Sequence, residues 1–399
     1  MSESFPQDWV MRNLGESLMA LPKSKLPSGL SDDAGYYNFY VCSSKVLKSF
    51  HKEMSSPAIL LSTGGEASVH FATGLFSYST DVWAVNFDGG ICNEYAFRIL
   101  EKELQNISYA GFQGSGIKHL DKSFIQKINV CVPPLAEQKK IASILASVDE
   151  VIENTQNQID KLQDLKKATM NELLTKGIGH IEFKHSELGR IPQSWKVQEL
   201  GDLIVGLKAG VSVNSENRVK RSNEIGILKT SSISQGTFFP QEHKTVLPSE
   251  ILRVSTPVEK DAIIFSRMNT PNLVGEVGYV TEDVQDLYLP DRLWLINVRD
   301  TKKTFTKWLS WLLVSKNLRK QISDIATGTS GSMKNISKSA LLSLKIAVPE
   351  FDQQKEIAKV IDSIDEHRKI LTDKLSQTQA FKKSLMQDLL TGKVRVQVN

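Results

Sequence analysis

The sequence predicts an α+β protein built as an internal repeat: two α+β domains, and two long helices that pair as an antiparallel coiled coil. The first observation is that residues 128–175 recur as residues 344–391 without a gap, with 16 of 48 positions identical. The second is the apolar spacing of three and four in both copies, which is typical of a coiled-coil seam. The third is that short apolar runs between Gly-rich loops fill the regions outside the copies. Such a repeat indicates two similar half-molecules and hence two similar binding events.

Five segments follow from the repeat. They are residues 1–134 (first domain), 135–177 (first long helix), 178–350 (second domain), 351–392 (second long helix) and 393–399 (C-terminal tail). The two domains also begin alike, with Pro6-Gln7-Asp8-Trp9 in the first and Pro192-Gln193-Ser194-Trp195 in the second. The two domain starts lie 186 residues apart, whereas the two long helices lie 216 residues apart. The variable region between start and helix is therefore longer in the second domain than in the first.

The two domains share a skeleton of predicted elements in the same order. Each has two short apolar strands, an amphipathic helix, a Gly/Ser-rich turn that ends in a lysine, and a strand that ends at Val-Pro. The matching segments, first domain before second, are residues 58–62 and 262–266, 83–86 and 294–297, 94–105 and 305–322, 111–118 and 328–334, and the pairs Val132-Pro133 and Val348-Pro349.

The seam of each long helix is formed by its apolar positions. In the first helix they are Ile141, Leu145, Val148, Ile152, Ile159, Leu162, Leu165 and Leu173, and in the second Ile357, Ile361, Ile364, Leu371, Leu375, Phe381, Leu385 and Leu389. Each helix begins after a proline and ends near a glycine, Gly177 or Gly392, and Asp352 is the expected N-cap of the second. About 40 residues give a rod of roughly 60 Å, which needs a partner because it has one apolar stripe.

The two long helices are each other's expected partners because their seams are complementary. An antiparallel pair would place the domains at opposite ends of a spacer. The pattern itself leaves a parallel pair open, and a stripe of this kind also fits ordinary core packing. The complementary positions are Thr155 and Thr169 against Leu371 and Leu385, and Arg368 and Thr378 against Ile152 and Leu162.

The composition is that of a globular protein without a membrane segment. Hydrophobic residues make up 40% and charged residues 24% of the chain, and the net charge is +4. There is no apolar run long enough for a transmembrane helix and no signal-peptide pattern at the N-terminus. Three cysteines, Cys42, Cys92 and Cys131, are too few and too far apart for a disulfide framework. We therefore expect a cytoplasmic protein, and a charge of +4 permits nucleic-acid binding without arguing for it.

No catalytic or metal-binding pattern stands out. The spacing after Gly111 resembles a phosphate-binding loop as far as Gly116, but Ile117 stands where a lysine is required. Glu242-His243-Lys244 supplies a nuclease-like E-x-K fragment without an upstream Pro-Asp, which favours a surface turn. The seven histidines form no H-x-x-x-H or H-E-x-x-H group, so neither a metal nor catalytic residues are assigned.

Three motifs resemble those of the specificity subunit of type I restriction–modification systems. They are the helix entries P-x-x-x-E/Q-Q-K-x-I-A at Pro133 and Pro349, the helix exits M-x-x-L-L-T at Met170 and Met386, and the restart L-G-x-I-P-x-x-W at residues 188–195. The resemblance covers the whole chain in architecture, and its specific motifs lie in the two long helices and the restart. One small departure between the copies is Lys176-Gly177 against Gly392-Lys393.

The resemblance implies a non-catalytic subunit with two target recognition domains. Each domain would read one half of a bipartite double-stranded DNA target, and the paired helices would fix the spacing between the half-sites. Chemistry would belong to other chains: two modification (methyltransferase) subunits that bind S-adenosylmethionine, and restriction (nuclease/translocase) subunits that use ATP and Mg²⁺. This chain itself would bind no cofactor.

Candidate contact residues follow from these roles. Lys and Arg would meet phosphates, while amide and guanidinium groups in loops would reach base edges. The DNA-binding candidates are Lys45, Lys48, His51, Lys52, Gln113, Lys118 and His119 in the first domain, and Lys208, Arg218, Lys220, Arg221, Lys229, Arg267, Asn269, Lys334 and Asn335 in the second. The partner-binding candidates lie off the seam and recur at equivalent positions of both long helices: Gln138, Lys139, Asp149, Glu150, Lys166 and Lys167, with Gln354, Lys355, Asp365, Glu366, Lys382 and Lys383.

Two other classes of function compete with DNA recognition. One is a coiled-coil scaffold that assembles partner proteins without reading DNA, and the other is an enzyme with an unrecognised site, such as a nuclease. The cluster Arg218–Arg221 and the lysine-bearing turns favour DNA over a scaffold. The missing motifs disfavour an enzyme. The target bases and the spacer length are not encoded in any pattern we recognise.

Overall fold

The computed structural model describes residues 6–328 and 332–398. The chain divides into two compact units, the first made of Met1–Gln158 with Leu371–Asn399 and the second of Ile159–Ile370. Each unit therefore contains one domain together with part of both long helices. In the part of the chain that is described, no helix is long and apolar enough to cross a membrane.

The first unit consists of short strands and helices around its share of the long helices. Its strands are β1 (Val10–Asn13), β2 (Leu18–Ala20), β3 (Tyr37–Tyr40), β4 (Leu47–Ser49), β5 (Ala58–Ser62), β6 (Val69–Ala72), β7 (Phe76–Tyr78), β8 (Val82–Phe87), β9 (Phe112–Gln113), β10 (His119–Leu120) and β11 (Asn129–Val132). Its helices are α1 (Leu14–Ser17), α2 (Asn93–Lys102), α3 (Leu104–Asn106), α4 (Lys122–Gln126), the first part of α5 (Leu135–Lys176) and the last part of α10 (Phe351–Leu390).

The second unit has the same plan, but its sheets contain more strands. Its strands are β12 (Phe183–Ser186), β13 (Gly189–Pro192), β14 (Lys196–Glu199), β15 (Ile204–Ala209), β16 (Ser215–Glu216), β17 (Gly226–Leu228), β18 (Ile233–Ser234), β19 (Gly236–Phe238), β20 (His243–Val246), β21 (Ile263–Ser266), β22 (Met268–Asn269), β23 (Val277–Tyr279), β24 (Leu287–Tyr288), β25 (Leu293–Val298), β26 (Lys334–Asn335) and β27 (Lys345–Val348). Its helices are the last part of α5, α6 (Leu200–Leu203), α7 (Thr306–Val314), α8 (Lys316–Asp324), α9 (Lys338–Leu342) and the first part of α10 (Phe351–Leu390).

The central sheets of the two units have the same strand order. In the first unit the order is β2-β8-β5-β6, and in the second β15-β25-β21-β23, extended by β19 and β18. A second pairing closes each domain just before its long helix: β1 with β11 in the first unit and β14 with β27 in the second, both antiparallel. The predicted strand pairs around residues 58–62 and 83–86, and around 262–266 and 294–297, are neighbours in these sheets.

The central strands are continuous apolar runs because both faces of each sheet are buried. In β5, Ile59 and Leu61 face a core that includes α2, whereas Ala58 and Leu60 face a second cluster with β3 and β7. In β21, Ile263 and Phe265 share the core that contains α7 and α8, and Ile264 belongs to the opposite cluster. Alternate side chains of a strand point to opposite faces, so a strand covered on both faces contains no polar alternation.

The long helices run antiparallel within each unit. In the first unit, Ile141 and Leu145 near the start of α5 share a core with Met386 and Leu389 near the end of α10. In the second unit, the end of α5, at Met170 and Leu174, packs with Ile357 and Ile361 at the start of α10. The α+β class with two repeated domains and an antiparallel pair of long helices is thus confirmed.

Four local expectations were wrong. The predicted helix at 305–322 breaks at Ser315, whose hydroxyl caps α8, and the helix predicted at 94–105 ends at Lys102 and continues as short turns. Asp352 is not an N-cap, because α10 already begins at Phe351. His243 lies buried in β20 rather than on a surface turn, since its ring bonds to the backbone of Lys220 and Pro240.

Candidate nucleic-acid interface and helix-pair surface

Four DNA-binding candidates of the second unit are brought together by two short strands. β22 pairs antiparallel with β26, so Met268 lies opposite Asn335, and Asn269 lies opposite Lys334. The backbone N–H of Ile336 donates to the carbonyl of Arg267, which extends the pairing by one residue. The Lys334 ammonium donates to the Gly328 carbonyl at 3.3 Å. Because directly opposed residues share a face, Arg267, Asn269 and Lys334 lie on one face of this pair. Residues 329–331 of the predicted Gly/Ser turn lie outside the described residues.

The first unit builds the same pairing from different side chains. Gly64, which follows β5, forms a bridge with His119, and the N–H of Gly65 donates to the carbonyl of Lys118. β9 and β10 form a hairpin in which Gln113 lies opposite His119. Gln113, Lys118 and His119 are all exposed. In both units, therefore, the end of the central strand meets the lysine-bearing turn.

The remaining candidates of the first unit lie on β4 and directly before and after it. Lys45, Lys48, His51 and Lys52 are exposed, and the Lys48 ammonium donates to the side chain of Asn38 at 2.9 Å. Beside them Tyr36 and Phe50 form an edge-to-face pair with ring centroids 5.4 Å apart, and both rings are exposed. Sequence reasoning missed this aromatic pair. The available signal was Phe50, an aromatic residue among lysines that is exposed although the preceding Ser49 of β4 is buried.

Most of the other cations of the second unit already have carboxylate partners. The pairs are Lys208 with Glu259 at 3.7 Å, Arg218 with Glu224 at 2.6 Å, Lys220 with Asp286 at 4.0 Å, and Lys229 with Glu242 at 3.7 Å. Arg218 also contacts Glu216, and its hydrogen bonds lower the pKa of Glu224 to about 2. Arg221 is exposed. Binding of phosphate by these residues would require exchange of partners.

The predicted outward orientation of Gln138 and Gln354 is wrong. Both side chains are 0% exposed. The Gln138 amide accepts from the N–H of Cys92 and donates to the carbonyls of Gly90 and Pro133, and Gln354 makes the same three bonds with Phe305, Lys303 and Pro349. These amides recur because they attach each long helix to the loop before the domain's helix, since buried backbone groups need partners.

Substituting Gln138 with leucine is expected to destabilise the first unit by about 2–3 kcal/mol, because the backbone groups of Cys92, Gly90 and Pro133 lose the partner that the buried amide supplies. The control is Lys139→Leu, the exposed neighbour, for which a change within about 0.5 kcal/mol is expected. Urea denaturation of both variants measures the difference. Equal stability of the two variants would contradict the assigned role of the amide.

Four more partner-binding candidates are engaged inside the units. Lys166 pairs with Asp365 at 2.7 Å in the second unit, and Lys382 pairs with Asp149 at 2.5 Å in the first. These are the same pair seen twice, because the two lysines are equivalent positions of the repeat and so are the two aspartates. Their expected outward orientation was wrong, since they form contacts between the two antiparallel helices.

Each repeated lysine also contacts its own domain. Lys382 pairs with Glu101 of α2 at 2.5 Å, and the Lys166 ammonium lies 4.3 Å from the ring centroid of Trp311 in α7. Burial lowers the pKa of Lys166. Burial also opposes ionisation of Asp365, but its hydrogen bonds and charge interactions with Lys166 and Arg368 outweigh that and hold its pKa below the usual value. The contact between the repeated lysine and its own domain is therefore ionic for Lys382 and a cation–π contact for Lys166.

The outer faces of the long helices carry the other candidates and an unpredicted apolar pair. Lys139, Glu150, Lys167, Lys355, Glu366 and Lys383 are exposed, as expected. Leu165 and Phe381, predicted as seam residues, are 51% and 57% exposed instead. They are equivalent positions in the repeat, and the neighbouring Lys166 and Lys382 point inward in their place. Each unit thus presents an exposed apolar side chain at the same position of its helix.

A further repeated contact joins the first turn of one long helix to the segment that directly follows the other long helix. In the first unit, the indole N–H of Trp9 donates to Glu137 at 3.3 Å, and Arg395 of the tail makes two bonds to the same carboxylate. In the second, the indole of Trp195 donates to Gln353 at 2.7 Å, and His180 contacts the same amide. We call these contacts the clasps. The recurring tryptophan was a visible signal, but its partner was not.

No metal-binding group of three or more His, Cys, Asp or Glu side chains occurs within residues 6–328 and 332–398.

Comparison with known proteins identifies the family. The family model described as "Type I restriction modification DNA specificity domain" matches residues 6–164 and 192–378, once for each repeated half. The fold, with two α+β domains and an antiparallel helix pair, is that of a type I specificity subunit. The chain belongs to this family, and its two domains are DNA target recognition domains.

Individual relatives agree with this assignment over the full chain. The MjaVIII type I restriction enzyme specificity subunit of Methanocaldococcus jannaschii is 30% identical, and the match covers 98% of this chain and 94% of that protein. The EcoDI specificity subunit of Escherichia coli is 21% identical over 98% of this chain and 88% of that protein. The crystal structure of the S subunit from M. genitalium has a similar fold, with a TM-score of 0.66 at 16% identity, covering 98% of this chain and 97% of that one.

Proposed function

We propose that this chain is a non-catalytic subunit that reads a bipartite DNA target, one half-site with each domain. The observation that carries the proposal is the repeated junction between the end of the central strand and the lysine-bearing turn. Its backbone pairing is the same in both units, Gly64 with His119 in one and Met268 with Asn335 in the other. Each turn carries a lysine, Lys118 or Lys334, while the neighbouring polar side chains differ: Thr63 and His119 in one unit, and Arg267 and Asn335 in the other. A shared frame with different polar groups is what reading two different half-sites requires.

We further propose that the helix pair docks two copies of a modification (methyltransferase) subunit. Equivalent exposed side chains support this, because a repeated surface presents the same chemistry twice. Leu165 and Phe381 would supply the apolar contact, and Lys139, Glu150, Lys167 and their equivalents the polar rim. S-adenosylmethionine would bind to these subunits, and ATP and Mg²⁺ to restriction (nuclease/translocase) subunits. One solved structure with a similar fold (TM-score 0.54) comes from work on complex assembly of a type I restriction–modification system.

The DNA-reading role is tested by expressing the chain with its modification subunits and sequencing the methylated genome. We expect one motif with two fixed half-sites and an unread spacer. Gel-shift assays with and without the modification subunits should show that sequence preference belongs to the complex. Absence of any sequence preference, or cleavage of DNA by this chain alone, would overturn the proposal.

Docking is tested with the double variant Leu165→Asp and Phe381→Asp. Co-purification of the modification subunit is expected to fall strongly, because a charge replaces an apolar contact in each site. The matched control is Gln163→Asp with Gln379→Asp, two exposed positions that are also equivalent in the repeat and face a different side of the helix. Equal co-purification of both double variants would rule out the apolar pair as a docking point.

The helix pair is expected to set the spacer between the half-sites. We would delete seven residues from each helix, residues 156–162 and 369–375. This removes about two helical turns, so the apolar stripe stays aligned across the deletion, and each helix becomes about 10 Å shorter. We expect methylome sequencing to return the same half-site sequences with a shorter unread spacer. Altered half-site sequences with an unaltered spacer would refute this role of the helices.

A further inference from the structure

Arg267 differs from Lys208, Arg218, Lys220 and Lys229 because its side chain has no polar partner among the described residues. It follows β21 directly and is only partly exposed, and its Nε is buried without a hydrogen-bond partner. Lys208, Arg218, Lys220 and Lys229 each lie within 4.0 Å of a carboxylate. Arg319 of the same unit, also partly buried, pairs with Glu276 at 3.2 Å. No such ion pair is found for Arg267 in residues 6–328 and 332–398.

The position of the guanidinium is nonetheless fixed. Its Cζ lies 5.8 Å from the ring centroid of Trp294, and Trp294 is fully buried and stacked on Phe265. The backbone of Arg267 is held on both sides, since its N–H donates to the carbonyl of Arg292 and its carbonyl accepts from the N–H of Ile336. A planar group against a rigid indole presents its donors in one direction. The site is thus preorganised and unsatisfied.

An unsatisfied, partly buried guanidinium is costly, and an incoming acceptor removes that cost. In the proposed DNA complex two classes of acceptor are available, phosphate oxygens and base edges. A phosphate is reached equally well by an exposed, flexible lysine. A recessed, oriented fork of parallel donors instead matches the O6 and N7 acceptors of guanine in the major groove. Lys334 lies on the same face and would contact the phosphate backbone of the DNA next to that guanine.

We infer that Arg267 is a specificity-determining residue that reads a guanine in the half-site of the second domain. The inference rests on the proposed function. The equivalent residue of the first domain is Thr63, which follows β5 as Arg267 follows β21. Its hydroxyl already donates to the carbonyl of Asp81 at 2.6 Å. The first half-site is therefore read without this contact and serves as an internal reference.

The experiment uses the complex with its modification subunits and duplexes that carry the methylated motif. Each guanine is replaced in turn by 7-deazaguanine, which lacks the N7 acceptor. With the natural chain, one replacement in one half-site is expected to weaken binding about 10- to 100-fold. With Arg267→Ala, the same duplex and the unmodified duplex should bind equally. The methylome of that variant should lose preference at the same base pair only.

A second variant separates base reading from phosphate binding and from misfolding. Arg267→Lys keeps the charge but replaces the two parallel donors with one ammonium, so its 7-deazaguanine effect should be smaller than that of the natural chain. If the natural chain and Arg267→Lys both ignore 7-deazaguanine while Arg267→Ala binds every duplex more weakly, the contact is to a phosphate and the inference is overturned. A second half-site without a G·C pair, or no guanine coupled to Arg267, would also overturn it. Methylation of the first half-site by both variants reports that the chain is folded. If the natural complex methylates no bipartite motif, the proposed function itself fails.

Discussion

Replacing Lys382 with methionine is expected to lower the free energy of unfolding of the first unit by about 3 kcal/mol. The ammonium lies 2.5 Å from both Glu101 and Asp149, and its side chain is only 14% exposed. Without it, two carboxylates in a partly buried site face each other with Arg98 as the remaining cation. Removing one partner of such a cluster costs more than the pair contributes, because an uncompensated charge stays behind.

The matched control is Lys383→Met, at the exposed position that follows Lys382 in the same helix. It loses the same charge and should change stability by less than about 0.5 kcal/mol. Calorimetry of the full chain compares the two, and Lys166→Met extends the comparison to the second unit. There the loss should be smaller than for Lys382→Met, because Lys166 contacts one carboxylate and an indole ring. If Lys382→Met and Lys383→Met unfold alike, the ion cluster does not hold the first unit together.

Replacing Arg395 with methionine is expected to destabilise the first unit, because Glu137 is 3% exposed and would keep only the indole N–H of Trp9. The natural arginine binds both oxygens of that carboxylate, at 2.7 and 2.8 Å. The second clasp places an amide, Gln353, at the equivalent position. Adding Glu137→Gln to the Arg395→Met variant should therefore restore most of the lost stability.

The control for this prediction is Lys393→Met, in the same tail, which breaks the pair between the exposed Lys393 ammonium and Asp388 of α10. Exposed pairs contribute about 0–1 kcal/mol, so its effect should be small. Thermal unfolding of the three variants beside the natural chain provides the comparison. Failure of Glu137→Gln to rescue Arg395→Met would show that the arginine stabilises the tail by something other than the buried carboxylate.

The repeat allowed the sequence to predict much of the fold and only part of the site. The strands at residues 58–62 and 83–86, the closing strands before each long helix and the lysine-bearing turns follow from local pattern, since strand and turn propensities act over a few residues. Recurrence of a polar residue, by contrast, does not show whether its side chain points into the protein or towards solvent. Gln138 and Lys139 recur equally, yet one is buried and the other exposed. A recurring residue serves an internal contact as readily as a partner.

The sequence by itself determined the family, the duplication, the two α+β domains and the two long helices, because periodicity and motif spacing are properties of the chain alone. Tertiary structure decided which charges are used inside. It placed Lys166 and Lys382 between the helices and Leu165 and Phe381 outside, an inversion that no apolar stripe predicts. It also paired Lys208 with Glu259 and left Arg267 against Trp294. The physical reason is the same in each case: a charged group is satisfied by whatever residue lies beside it in space, and that neighbour is set by packing between distant segments.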